Sequence, residues 1–132
     1  MEPDYINASH AAVILVVDDD ALINMNTADM LSELGHTVLE AYSGQEALSI
    51  LKDGRRIDAL ITDYDMPGMS GVELAALAQE LRPKLPVLLA TGYTDLPNGT
   101  MSELPRLAKP FQQDVLARQL AALLASRSEV VG

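Results

Sequence analysis

The chain has 132 residues, of which 48% are apolar and 21% are charged, and it contains no cysteine. This profile is typical of one globular domain, and it excludes disulfide bonds and thiolate metal sites. The net charge of −10 arises in residues 1–65, which hold 13 acidic and three basic residues, so the chain lacks the basic stripe of a nucleic-acid-binding protein.

Short apolar runs alternate along the chain with amphipathic stretches. The apolar runs predict five strands, at 13–17, 36–41, 57–62, 86–91 and 106–108. The stretches between and after them predict helices at 21–34, from Ser43 to about 52, from Ser70 or Gly71 to 81, and at 115–125. A further helix within 95–104 would be short or irregular, because Pro97, Asn98 and Gly99 interrupt it. This alternation predicts a doubly wound α/β fold, with a parallel sheet and helices on both faces.

Several residues predict how individual elements begin, end and pack. Gly35 is placed to end the first helix. Ser43 and Glu46 have the spacing of a capping box, and Pro67-Gly68 predicts a turn. We expect the buried face of the first helix to consist of Leu22, Ile23, Met30, Leu31 and Leu34.

Chemically functional side chains occupy the ends of four predicted strands. Asp18 and Asp19 end the first strand, Asp63 the third, Thr91 the fourth and Lys109 the fifth. Since ligands of parallel α/β sheets bind at the carboxyl ends of the strands, we expect these side chains to meet. Grouped carboxylates repel one another, and a hard cation relieves that repulsion. The set therefore predicts a Mg²⁺ site at which a phosphoryl group is transferred to a carboxylate.

Taken together, these motifs resemble the receiver domain of bacterial two-component response regulators. The resemblance rests on Val16-Val17-Asp18-Asp19-Asp20, on Asp63 followed by Pro67-Gly68 and Gly71, on Thr91, and on Lys109-Pro110-Phe111. Each motif is weak alone, but their order and their places on the predicted elements are specific. The resemblance covers about residues 11–126 and implies a five-stranded sheet of flavodoxin-like order 2-1-3-4-5.

The resemblance also implies which residues accept the phosphoryl group and hold the metal. Asp63 would take a phosphoryl group from a sensor histidine kinase or a phosphotransfer protein. Asp18, Asp19 and Asp63 would hold Mg²⁺, with Asp19 the more direct ligand of the pair, and the backbone carbonyl of Asp65 would complete the metal shell. Asp20 is interpreted instead as the N-cap of the first helix.

Lys109 and Thr91 would respond to the phosphoryl group. By the same resemblance, Lys109 would contact the phosphoryl oxygens, and Thr91 would turn toward them after transfer. The Lys109-Pro110 peptide bond would be cis. Such a domain assists its own phosphorylation and dephosphorylation but is not an enzyme that acts on a separate substrate.

The sequence departs from the family pattern at the conformational switch. Most receivers carry an aromatic residue three positions before the lysine, where this chain has Arg106. Ala90-Thr91-Gly92-Tyr93 resembles the motif of a receiver subgroup, and Tyr93 is a candidate to replace the missing aromatic; the alternative is an exposed loop tyrosine. We expect the switch to use Thr91, Tyr93 and the following residues, and not a rotating side chain at Arg106.

Two other functions are compatible with parts of the sequence. Asp63-Tyr64-Asp65 after an apolar strand is the pattern of haloacid-dehalogenase-like phosphatases, but there it follows the first strand, and Asp18-Asp19 would have no role. A receiver fold used only for phosphorylation-independent interactions usually lacks part of the acidic set, which is complete here. We therefore expect a phospho-acceptor signalling domain that acts on an unidentified downstream protein.

The predicted location is the cytoplasm. The longest apolar run, Ala11 to Val17, has seven residues, far fewer than the roughly 20 that cross a bilayer. No Lys or Arg precedes this run, so no signal peptide is expected. We expect residues 1–10 to form a flexible tail, residues 11–126 the receiver domain and residues 127–132 a C-terminal tail, with neither membrane nor nucleic acid as a partner.

Overall fold

A computed structural model describes residues 11–92 and 104–131, and in it strands and helices alternate as predicted. In chain order the elements are β1 (Val13–Val17), α1 (Ala21–Glu33), β2 (Thr37–Ala41), α2 (Gly44–Lys52), β3 (Ala59–Asp63), α3 (Gly71–Leu81), β4 (Val87–Thr91), β5 (Arg106–Ala108) and α4 (Gln113–Val131). The strands form one sheet of order β2-β1-β3-β4-β5, and every neighbouring pair is parallel. The predicted fold class and strand order are confirmed. Except for Leu104, the segment 95–104 lies outside the described residues.

Helices cover both faces of the sheet, and each face has its own apolar core. Because successive side chains of a strand point to opposite faces, Leu15 and Val17 pack with α2 and α3, whereas Ile14 and Val16 pack with α1 and α4. Both faces of β3 and β4 are consequently buried along their whole length. Among the described residues, no helix is long and apolar enough to cross a membrane.

The predicted buried face of α1 is only partly correct, since Leu31 is buried and Met30 packs against the core. The buried residues are Asn24, Thr27, Ala28 and Leu31, whereas 62% of Leu22 and 37% of Leu34 are exposed. Asp20 caps the helix, and its inner face then follows the i, i+3, i+4, i+7 spacing from Asn24. Leu22 lies about half a turn from Asn24, and Leu34 lies beyond the last helical residue.

The helix and strand ends agree with the sequence signals, with small differences. Gly35 has a φ of 97° just after α1, and Gly68 has a φ of 82° in the turn after β3, backbone angles that favour glycine. Ser43 caps α2, but Glu46 accepts a hydrogen bond from the backbone N–H of Tyr42 rather than of Ser43. The last helix begins at Gln113 and extends to Val131, past its predicted end at 125.

A complete capping box fixes the start of α3, next to the end of β3. The hydroxyl of Ser70 accepts from the N–H of Glu73, and the carboxylate of Glu73 accepts from the N–H of Ser70. Each bond satisfies an N–H group that the first helical turn would leave unpaired. The loop between β3 and α3, which carries Asp65, is therefore held at its α3 end.

Candidate functional site

The four predicted strand ends meet at one edge of the sheet. Asp18 follows β1, Asp63 is the last residue of β3, Thr91 is the last residue of β4, and Lys109 follows β5. The register pairs Val17 with Thr62, which brings the residues after them, Asp18 and Asp63, side by side. The structure thus brings these sequence-predicted residues to adjacent strand ends.

Asp18, Asp19 and Asp63 form a compact acidic group. One carboxylate oxygen of each lies within 4.8 Å of the others. Asp18 and Asp63 are buried, with 5% and 7% of their surface exposed, whereas Asp19 is exposed. The group is therefore anchored in the sheet edge and open to solvent on the side of Asp19.

The negative charge of Asp18 is in an unfavourable environment. Burial raises the pKa of the Asp18 carboxyl above its ordinary value, and the negative charge of Asp63 adds to the increase. Two contacts oppose this: the backbone N–H of Asp20 donates to Asp18 Oδ1 over 2.9 Å, and the ammonium of Lys109 lies 3.5 Å from Oδ2. Negative charge is thus concentrated here and only partly compensated by the protein.

Lys109 supplies the cation that the protein itself places in the group. Its Nζ atom donates to Asp63 Oδ1 over 2.8 Å. Burial by itself lowers the pKa of Lys109, but the hydrogen bond and charge of Asp63, with the charge of Asp18, outweigh it, so that the pKa is raised. The side chain is therefore an ammonium ion aimed at the acidic group.

The backbone fixes Lys109 at this place. Its N–H donates to the carbonyl oxygen of Thr91 over 2.9 Å, which continues the pairing of β4 with β5. The Lys109-Pro110 peptide bond is cis, as the family resemblance predicted.

Gly71, the first residue of α3, lies very close to the backbone of Asp63. The N–H of Gly71 donates to the carbonyl oxygen of Tyr64 over 2.8 Å. A Cβ atom at Gly71 would contact the carbonyl oxygen of Asp63 and would lie 2.7 Å from Cδ1 of Leu89. The same carbonyl oxygen of Asp63 accepts from the hydroxyl of Thr62 over 3.0 Å. Only glycine therefore lets α3 begin so close to the end of β3.

The remaining predicted residues lie around this group. Thr91 is buried at the end of β4, with 3% of its surface exposed, and Arg106 is half-buried at the start of β5. Asp65 is exposed in the loop after β3. Tyr93 lies outside the described residues. The roles in metal binding and switching that the sequence assigns to these four residues stay predictions.

Asp20 belongs to the helix and not to the acidic group. Its Oδ1 atom accepts from the N–H groups of Leu22 and Ile23, at 3.0 and 3.2 Å. These are bonds of an N-cap, and they satisfy two donors of the first turn. The interpretation of Asp20 as a cap is confirmed.

The sequence prediction missed Asn24, which lies behind the acidic pair formed by Asp18 and Asp19. Its side chain is completely buried, and Nδ2 donates to the backbone carbonyl oxygens of Asp18 and Ala41. The available signal was the spacing 24, 27, 28 and 31, which places Asn24 in phase with Ala28 and Leu31 on one helix face. That face was overlooked because two of its four members are polar.

The donor set matches a hard cation. Mg²⁺ prefers carboxylate and carbonyl oxygens and keeps part of its water shell, and the acidic group offers three carboxylates with an open side at Asp19. Lys109 is suited to a phosphoryl oxygen, since it is a compact point charge beside Asp63. The arrangement can therefore hold a phosphoryl group on Asp63 and neutralise its charge.

Comparison with known proteins gives a consistent result. The model of the response regulator receiver domain family matches residues 14–121. The chain is 32% identical over 122 residues to a chemotaxis protein CheY homolog of Campylobacter jejuni, a match that covers 87% of this chain and 94% of that protein. It is 31% identical over 123 residues to the sensor kinase CckA of Brucella abortus, covering 88% of this chain and 13% of the kinase. The chain thus spans nearly all of one relative and a small part of the other.

The solved structures include a similar fold in complex with ligands. The response regulator protein TrrA of Thermotoga maritima, in complex with Mg²⁺-BeF, superimposes with a TM-score of 0.76 at 30% identity. The match covers 86% of this chain and 99% of TrrA.

Proposed function

The chain belongs to the response regulator receiver domain family, whose members act as phospho-acceptors in two-component signalling, and we propose that Asp63 is its phosphorylated residue. The observation that carries the proposal is the contact of Asp63 with Lys109 inside the acidic group. Asp63 is the only carboxylate of the group that combines a place at the end of a central strand with a 2.8 Å bond to the ammonium.

The transfer itself needs a nucleophile and compensation of charge. A carboxylate oxygen of Asp63 forms a bond to phosphorus, the bond to the donor's leaving group breaks, and that group keeps the electron pair. Lys109 remains beside the new acyl phosphate and stabilises the charge on its oxygens. The backbone of Lys109 is fixed by its bond to Thr91, and its ammonium already donates to Asp63, so the ammonium is in place before the reaction.

We propose Mg²⁺ as the cofactor of this site. Asp18, Asp19 and Asp63 would hold it, together with the backbone carbonyl of Asp65. When bound, the ion neutralises negative charge that the carboxylates and the phosphoryl oxygens share. The raised pKa of Asp18, which burial causes and the charge of Asp63 increases, supports this assignment, since it reflects charge that the protein compensates only in part.

The signalling context is proposed from the family. The phosphoryl donor would be a sensor histidine kinase or a phosphotransfer protein in the cytoplasm, and the recipient of the signal a downstream protein. Residues 11–126 would form the receiver unit, between a tail at 1–10 and another at 127–132. Ala90-Thr91-Gly92-Tyr93 supports the receiver subgroup that carries such a motif, in which Thr91 and Tyr93 would act in the switch while Arg106 occupies the position of the usual aromatic residue.

The alternatives have less support from the geometry. A phosphatase of the haloacid-dehalogenase type would use Asp65 as its acid or base, but Asp65 is exposed and the acidic group is formed by Asp18, Asp19 and Asp63. A domain that only binds partners would have no use for Lys109 beside Asp63. We propose that the chain acts on no separate substrate.

The proposed function is tested with a small phosphoryl donor. The protein is incubated with acetyl phosphate and Mg²⁺, and its intact mass is recorded over time. We expect one phosphoryl adduct per chain, labile to hydroxylamine because it is an acyl phosphate. An unmodified mass under these conditions, with a known receiver modified in parallel, would overturn the proposal.

A further inference from the structure

Asn24 is a polar side chain buried behind the acidic pair. It lies in the first turn of α1, and none of its surface is exposed. Its Nδ2 atom donates to the carbonyl oxygen of Ala41 over 2.8 Å and to that of Asp18 over 3.1 Å. Only the nitrogen of a side-chain amide can donate to two carbonyl oxygens, so these bonds define the orientation of the amide.

The two carbonyl groups belong to the ends of adjacent strands. Ala41 is the last residue of β2, and its oxygen also accepts from the N–H of Asp18 over 3.2 Å. The carbonyl of Asp18 is part of the peptide group that joins Asp18 to Asp19. Asn24 therefore holds the peptide group between Asp18 and Asp19. The side chains of both acidic residues extend from the two ends of this group.

This arrangement has an unfavourable component. Within the described part of the chain, Oδ1 of Asn24 is buried without a hydrogen-bond partner. A buried acceptor that loses water and gains no donor destabilises the fold, and an apolar side chain of the same branching has no such acceptor. The asparagine is therefore explained by what its nitrogen holds and not by its packing.

We propose that Asn24 is a positioning residue for the metal site. By fixing the peptide group between Asp18 and Asp19, it keeps their carboxylates where a cation can bind them together with Asp63. The inference rests on the Mg²⁺ binding proposed above, and it assigns to the interior of α1 a role in the affinity of the site.

The test compares metal affinity with stability. Asn24→Leu removes both donated bonds and the unpaired oxygen while keeping the number and branching of the side-chain heavy atoms. We expect its Mg²⁺ affinity, measured by NMR titration without any phosphoryl donor, to fall about tenfold or more, as is usual when a residue that orients metal ligands is replaced. The amide nitrogen signal of Asp19 in the metal-free protein should also shift, because the carbonyl that precedes it loses a hydrogen bond.

Leu31→Ala serves as the matched control. Leu31 is fully buried on the same helix within the apolar core, so its truncation should lower the unfolding temperature and leave Mg²⁺ affinity within twofold of wild type. If Asn24→Leu does not fold, Asn24→Ala is measured in the same way, with the same expectation.

Two results would overturn the inference while leaving the proposed function intact. One is an unchanged Mg²⁺ affinity in the folded Asn24 variant. The other is an equal loss of affinity in Leu31→Ala, which would show that affinity only follows stability. A wild-type protein that binds no Mg²⁺ would instead contradict the proposed metal site itself, and the inference with it.

Discussion

The ammonium nitrogen of Lys109 lies 2.8 Å from Oδ1 of Asp63, although 46 residues separate them in the chain. The contact spans β4, since β3 and β5 lie on either side of that strand. It joins the site to the end of β5 and to the backbone of Thr91, whose carbonyl oxygen accepts a hydrogen bond from the N–H of Lys109. A change of charge at Asp63 therefore acts directly on Lys109, which follows the edge strand β5.

We expect Asp63→Asn to abolish phosphorylation. The amide keeps the size of the side chain but is far less nucleophilic than the carboxylate. Intact mass after incubation with acetyl phosphate and Mg²⁺ should show no adduct. Asp65→Asn, two residues further in an exposed position, should still be labelled; an adduct that persists on Asp63→Asn would rule out the assignment.

Labelling should also depend on a divalent cation and on Asp19. Removing Mg²⁺ with EDTA leaves the carboxylates of the group unscreened, so the wild-type protein should then show no adduct. Asp19→Ala should weaken Mg²⁺ binding, in a calorimetric titration, by about tenfold or more. Asp29→Ala, an exposed acid on α1, is the control for net charge. Equal affinities of the Asp19 variant and wild type would contradict the metal role.

We expect Lys109→Met to slow labelling and to destabilise the metal-free protein. Without the ammonium, the carboxylates of Asp63 and Asp18 lose their shared cation, at a cost of about 1–3 kcal/mol in the free energy of unfolding. Urea unfolding in EDTA measures this cost. Lys84→Met, an exposed lysine in the loop before β4, should change neither quantity. A stability of Lys109→Met equal to that of wild type would show that the ion pair contributes nothing.

The site was predictable from sequence because a parallel sheet gathers its strand ends. Once apolar runs place Asp18, Asp63, Thr91 and Lys109 at the ends of four parallel strands, the topology brings them to one edge whatever their separation in the chain. The distances among them were not predictable, because each depends on a loop. The position of Asp63, for example, depends on how closely Gly71 approaches its backbone.

The buried face of α1 was not predictable from hydrophobicity. Leu22 is more apolar than Asn24, yet Leu22 is 62% exposed and Asn24 is fully buried. Asn24 is tolerated inside because its amide satisfies two backbone carbonyls. Whether such partners exist depends on where β1 and β2 end relative to the helix, which no periodicity in α1 itself encodes.

Gly71→Ala should destabilise the fold and impair the site together. A Cβ atom there would meet the carbonyl oxygen of Asp63 and the side chain of Leu89, so α3 or the end of β3 must move. We expect a lower unfolding temperature and slower labelling of Asp63. Gly92→Ala, where an added Cβ meets none of the described residues within 4 Å, should have an unfolding temperature near that of wild type. Equal temperatures for both variants would contradict the close approach.

The conformational response to phosphorylation should depend on the hydroxyl of Thr91 and not on Arg106. A hydroxyl can donate to a phosphoryl oxygen, and Thr91 lies at the end of β4 with its carbonyl bonded to the N–H of Lys109. Arg106 is cationic, so moving it inward in place of an aromatic side chain would cost the burial of a charge. Beryllofluoride with Mg²⁺, a phosphoryl mimic, should therefore shift the amide signals of Lys109 and of residues 93–104 in wild type.

Two variants, Thr91→Val and Arg106→Ala, test this dependence. Thr91→Val is the more specific test, because it removes the hydroxyl and keeps the branched shape of the side chain. It should bind beryllofluoride but reduce the shifts at Lys109 and at 93–104 by half or more. Arg106→Ala should leave them close to those of wild type. The opposite pattern would be a response that is retained in Thr91→Val and lost in Arg106→Ala. The response would then depend on the guanidinium of Arg106 and not on the hydroxyl of Thr91, and Arg106 would be the switch residue.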